Sequence, residues 1–122
     1  MLRVYVAGKL NDMACDYIKN LSAMCKASIN LKRCGYAAYN PGLDVLEGVI
    51  AGDLEYHDYF KPNFEWLSKA DALFVLPYSQ NSKGVQAEIE RAKELKIPVV
   101  HSITELEVIK MQGDKSKNEK LR

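Results

Sequence analysis

Ser82, Gly84 and Glu88 stand at S-x-G-x-x-x-E spacing within the run NSKGVQAEIERA, and each residue type has a chemical use there. A glycine lets a ligand approach the backbone closely. A serine hydroxyl and the free amides of a helix start can together receive an anion. At about 100° per residue, Val85, Ile89 and Ala92 define the core-facing side of the helix that follows, and Glu88 falls on that same side. A carboxylate beside an anion cradle suits a phosphorylated sugar whose reactive carbon lies within the carboxylate's reach. Ionised, it can stabilise positive charge developing on the sugar or trap the sugar covalently. The structural alternative is service to the helix macrodipole, which favours acids near a helix start. Ser82 and Glu88 are too far apart for a capping box.

The elements that must position these residues are legible as alternating strands and helices. Residues 2–7, LRVYVA, read as a buried strand closed by Gly8. Apolar residues at Ala14, Tyr17, Ile18, Leu21, Met24, Cys25 and Ile29 mark one face of a helix from about Met13 to Arg33, capped by Asn11 or Asp12 and stopped by Gly35. YAAYN is a short second strand, and Pro41-Gly42 turns the chain away from it. Residues 43–58 read as a loop with a helical turn, weakened by Gly48 and Gly52. Pro62 opens a helix running to about Lys69. ALFVLP, residues 72–77, is the clearest buried strand. A loop, YSQNSKG, leads into a helix over 85–96, the strand IPVVHS follows, and Ser102 with Glu105 starts a last helix over 103–112. The remainder is too polar to bury and is expected to be a flexible charged tail over 112–122.

Strand-helix alternation implies one small doubly wound α/β domain over residues 1–111, flavodoxin-like or Rossmann-like, with a parallel sheet of about four to five strands covered on both faces. Such sheets bind ligands at the carboxyl ends of their strands, where the strand order reverses. The loops that reach that edge are GKLND, NPGLD and YSQNSKG.

The 122 residues suit one domain, and an apolar fraction of 48% with a charged fraction of 27% is that of a folded, soluble chain. Seventeen basic and sixteen acidic side chains leave a net charge of +1, so no global field draws in nucleic acid or an anionic membrane. Cys15, Cys25 and Cys34, an odd set without C-x-x-C spacing, fit buried free thiols in a reduced compartment. With no signal peptide or membrane-length apolar run, a cytoplasmic location is expected. His57 and His101 lack ligand spacing, so no metal and no cofactor are expected. Gly8-Lys9 is followed by Leu10, which excludes a phosphate-binding GxxxxGK[ST] loop.

Three blocks, VYVAGKL, EWLSKADALFVLP and SKGVQAEIERAKELKIPVV, resemble the nucleoside 2-deoxyribosyltransferase superfamily, including its 2'-deoxynucleoside 5'-phosphate N-hydrolases and small phage and bacterial relatives. The likeness covers roughly residues 2–101 and is most specific in the last block. It implies cleavage of an N-glycosidic bond by hydrolysis or transfer, with Glu88 attacking the anomeric carbon and Ser82 and Gly84 holding a 5'-phosphate or 5'-hydroxyl. Gly8, Lys9 and Leu10 would line the same end of the pocket, and Tyr5 matches a recurrent family tyrosine, although a core role is the simpler reading for a residue inside a strand. A homodimer or higher oligomer is also implied, which would bury Tyr56, Tyr59, Phe60 and Phe64.

The chain departs from the phosphohydrolase branch at Asn63, which stands where that branch carries an aspartate as general acid or orienting residue. An amide donates hydrogen bonds but supplies no proton in the same way. Asp58, a substrate-binding candidate, could compensate from the same segment, with Asp53 and His57 as further candidates; a surface or capping role is the plainer reading for each. A non-catalytic protein that binds or sequesters a nucleotide is the competing reading. Asp71, at the amino end of its strand, is expected to be structural, and Trp66 and Phe64 to pack.

Overall fold

The computed structural model describes residues 1–10, 14–54 and 56–120, without the side chains of 14, 15, 56, 57 and 115–120. Its strands are β1 (Arg3–Ala7), β2 (Ala37–Tyr39), β3 (Ala72–Val75) and β4 (Val99–Val100). Its α-helices are α1 (Ala14–Arg33), α2 (Asp44–Ala51), α3 (Tyr56–Leu67), α4 (Lys83–Glu94) and α5 (Ile103–Lys120), with one 3-10 turn over Pro41–Leu43. The four strands form an all-parallel sheet in the order β2-β1-β3-β4. This is the doubly wound α/β architecture expected, with the order reversing between β1 and β3.

The two-residue period of β1 divides the core. Val4 and Val6 join Met24 and Leu31 of α1 and Leu106 of α5 on one face. Tyr5 and Ala7 join Leu67 of α3 and Val85 and Ala92 of α4 on the other. Each fully buried leucine or valine among them contributes roughly 1.5–3 kcal/mol of apolar burial. On α1 the buried stripe is Met24, Ser28 and Leu31. Ile18 and Ile29, expected on that stripe, are 69% and 48% exposed because the helix is rotated to seat Met24 and Leu31. Gly35, at φ 89°, closes α1, with the Tyr36 N–H donating to the Leu31 carbonyl and the Gly35 N–H to that of Lys32. The caps expected at Asn11 and Asp12 lie outside the described residues.

The segment 43–58 differs most from its reading as a loop. It holds α2, which ends at Gly52 in the left-handed conformation at φ 77°, and the start of α3. None of the residues of α2 is buried, so no core-facing period marked it in the sequence. Pro62 lies inside α3 rather than in its first turn. The bond it removes is to the Asp58 carbonyl, and both residues are on the exposed side, where water can replace the missing donor. The last helix also passes its expected end at Gln112 and continues to Lys120, within the segment read as a flexible tail. Gly113 costs a helix about 1 kcal/mol, but long charged side chains need no burial to be helical. Its start is as expected: the Ser102 hydroxyl accepts from the Glu105 N–H, and Glu105 reaches back to the His101 N–H. No helix among the described residues is long and apolar enough to cross a membrane.

Candidate active site

A cleft of about 890 Å³ opens at the carboxyl ends of β1 and β3, the switch point of the sheet. Its wall includes the predicted residues Tyr5, Gly8, Lys9, Leu10, Asn63, Ser82, Gly84 and Glu88. Two loops meet there because the Lys9 N–H donates to the buried Ser79 hydroxyl at 3.1 Å, tying the turn after β1 to the turn after β3. Gly8 is closely packed: a Cβ there would stand 2.8 Å from Leu76 Cδ1 and from Met24 Cγ, so those side chains would have to shift. Ser82 caps α4, its hydroxyl accepting from the Val85 N–H at 3.3 Å while its own proton stays available to a ligand.

Glu88 is half-buried on α4 beneath these loops. Burial pushes its carboxyl up from 4.5 to about 7, and a hydrogen bond from the Tyr5 hydroxyl opposes that rise. Tyr5 itself is 1% exposed in the core of β1. Its phenol is held well above its ordinary value by burial first and then by Glu88, so it remains a proton donor. Tyr5 is therefore both core residue and site residue, its ring packed under α4 and its hydroxyl on the carboxylate.

Asn63 is fixed from both sides. Its Oδ1 accepts from the Tyr39 hydroxyl at 3.0 Å and its Nδ2 donates to Asp44 Oδ2 at 3.2 Å. Tyr39 in turn stacks on Trp66, with centroids 5.5 Å apart and planes 24° apart, and contacts the Tyr5 ring at 5.4 Å. Trp66 thus packs on the tyrosine that holds Asn63. Burial and then the nearby Asp44 raise the Tyr39 phenol above its ordinary value.

Asp44, missed as a site residue in the sequence, lines the cleft from the first turn of α2. The signal for it was its place in the NPGLD loop, which ends at the ligand-binding edge. Asp58, expected to compensate for Asn63, is exposed on α3 and outside the cleft wall. Because α3 starts at Tyr56, its cleft-facing stripe is Tyr59, Phe60, Asn63 and Phe64, which turns Asp58 away. Tyr59, Phe60 and Phe64, expected to need a partner subunit for burial, are instead partly covered within the chain. Asp53 and His101 are exposed and outside the wall, and the His57 side chain lies outside the described residues. Asp71 is structural, accepting from the Arg3 N–H at 2.7 Å. Among the described residues no group of three or more His, Cys, Asp or Glu side chains could hold a metal ion.

The family described as "Domain of unknown function (DUF4406)" matches residues 2–101. No curated protein matches the chain by sequence. Among solved structures, the fold is similar to that of a 2-deoxyribosyltransferase from the psychrotolerant bacterium Bacillus psychrosaccharolyticus. The TM-score is 0.60 at 20% identity, over 80% of this chain and 69% of that one. That likeness is one of fold.

Proposed function

The chain belongs to the DUF4406 family, and we propose that within it this protein cleaves the N-glycosidic bond of a deoxynucleoside or its 5'-monophosphate, as a relative of the 2'-deoxynucleoside 5'-phosphate N-hydrolases. The observation that carries this reading is Glu88: a half-buried carboxylate at the sheet's switch point, hydrogen-bonded by Tyr5 and facing a nucleotide-sized cleft. The fold likeness to a 2-deoxyribosyltransferase adds support.

In this reading Ser82, Gly84 and the start of α4 receive the 5'-phosphate, with Lys9 after β1 and Lys83 in the first turn of α4 also lining the cleft. Glu88, ionised, attacks the anomeric carbon. The C–N bond breaks with its electron pair leaving on the base, and a glycosyl ester forms on Glu88. Tyr5 donates to the carboxylate and favours its ionised form. The departing base takes a hydrogen bond from the Asn63 amide and its proton from water. Water then releases the sugar from Glu88, or a second base accepts it, which makes the difference between hydrolysis and transfer.

We read the active form as at least a dimer. Leu46, Val49 and Ile50 on α2 are 65%, 74% and 77% exposed, an apolar surface beside the cleft mouth.

The test is release of free base from a panel of deoxynucleoside 5'-monophosphates, lost in Glu88→Gln. Tight binding of intact nucleotide with no product over hours would transfer support to a nucleotide-binding protein, which the amide at Asn63 would suit. Neither binding nor release, with the fold intact, would reject both readings.

A further inference from the structure

The Asn63 amide has two possible orientations, and its neighbours select one. A carboxylate only accepts hydrogen bonds, so Asn63 must turn its NH2 to Asp44, leaving Oδ1 for the Tyr39 hydroxyl. The flipped amide would set oxygen against oxygen at Asp44. This pairing uses one N–H of Asn63 and one oxygen of Asp44. That leaves a second N–H and a second carboxylate oxygen, on two residues that both line the cleft.

The geometry points to Asp44 as the residue that decides which base the cleft accepts. Together with the amide it orients, it forms a donor-acceptor edge of fixed order, complementary to a base with an amino group beside a ring-nitrogen acceptor: a 6-aminopurine or a 4-aminopyrimidine. This rests on the glycosidic reading above, which determines what the Asn63 N–H must meet. Negative charge on a departing base collects on its ring nitrogens, so the N–H that stabilises departure belongs on an acceptor nitrogen such as purine N7 or pyrimidine N3. The neighbouring substituent then faces Asp44. An amino group there donates to the carboxylate oxygen. An oxo group meets it acceptor to acceptor, and in uracil the ring N3–H also opposes the Asn63 donor. An aspartate at position 63 would offer only acceptors when ionised, so the amide is what makes the edge two-handed.

A site built around hydrogen-bonding groups rejects a ligand that leaves them unpaired more strongly than it rejects a change in size. Discrimination of about tenfold or more between amino and oxo partners is expected. The experiment compares 2'-deoxyadenosine with 2'-deoxyinosine 5'-monophosphate, and 2'-deoxycytidine with 2'-deoxyuridine 5'-monophosphate. It measures base release by the wild-type chain and calorimetric binding to Glu88→Gln, each also with Asp44→Asn. The amino member of each pair should be preferred, and Asp44→Asn, whose amide can present either a donor or an acceptor, should bring the ratio towards one or reverse it. Equal handling of both members by the wild-type chain would overturn the assignment while leaving N-glycosidic cleavage standing. So would a preference that survives Asp44→Asn. If no nucleotide binds or reacts, the glycosidic reading fails and this one with it. Should Asp44→Asn not fold, as circular dichroism would reveal, the wild-type pairs alone decide.

Discussion

The Tyr5 hydroxyl, on a side chain 1% exposed, hydrogen-bonds the Glu88 carboxylate across the junction of β1 and α4. Burial and this bond act on Glu88 in opposite directions, and burial is the larger. Their balance leaves the carboxyl at about 7, so small changes around it alter how much nucleophile is present near neutral pH.

Removal of the Tyr5 hydroxyl should therefore be read in a pH profile. In Tyr5→Phe the opposing bond is gone, and the acid limb of kcat/KM, expected near 7 in the wild type, should move upward. A hydrogen bond to a charged group is worth roughly 1.5–3 kcal/mol, so a loss of about tenfold to hundredfold at neutral pH is expected, with partial recovery in alkali. A profile displaced downward, or a uniform loss without displacement, would argue against this role.

Stability should depend on pH through the same group. Glu88 is raised above 4.5 in the folded chain, so the folded state holds its proton more tightly than the unfolded state. That contribution is present at low pH and is lost as pH rises from 4.5 to about 7. Glu88→Gln removes the loss. Against the wild type it should gain stability over that interval and keep the gain at higher pH, by up to about 3 kcal/mol. Denaturant unfolding across the range would measure this, and a constant difference would contradict it.

Gly48 separates helix propensity from site geometry. A Cβ there would collide with the Tyr59 hydroxyl, which lines the same cleft. Gly48→Ala should gain up to about 1 kcal/mol for α2 in propensity while displacing Tyr59. The expected result is a thermal midpoint nearly unchanged and KM raised several-fold; unchanged kinetics would show that Tyr59 does not shape the bound state.

The exposed face of α2 predicts self-association. Light scattering at micromolar concentration should show at least a dimer, and Ile50→Asp should shift it towards monomer while leaving the circular dichroism spectrum intact. A wild-type monomer would refute the assembly reading.

The sequence by itself determined what depends on neighbours along the chain. The two-residue period of β1, the uninterrupted apolar ALFVLP and the S-x-G-x-x-x-E spacing each place side chains through local geometry, and they were enough for the sheet, its ligand-binding edge and the position of Glu88. Helix α2 was not legible, because it buries none of its residues and so carries no core-facing period. Tertiary structure decided the partnerships. Tyr5 meets Glu88 only because α4 packs on the Tyr5 face of β1. Asn63 lies 24 residues from Tyr39 and 19 from Asp44, and on α3 it meets them only because β2 and α2 bring these two partners to the same edge. No spacing rule spans such crossovers, so the doubt that the sequence attached to Asn63 as a missing acid became, in three dimensions, an oriented amide with a carboxylate at its side.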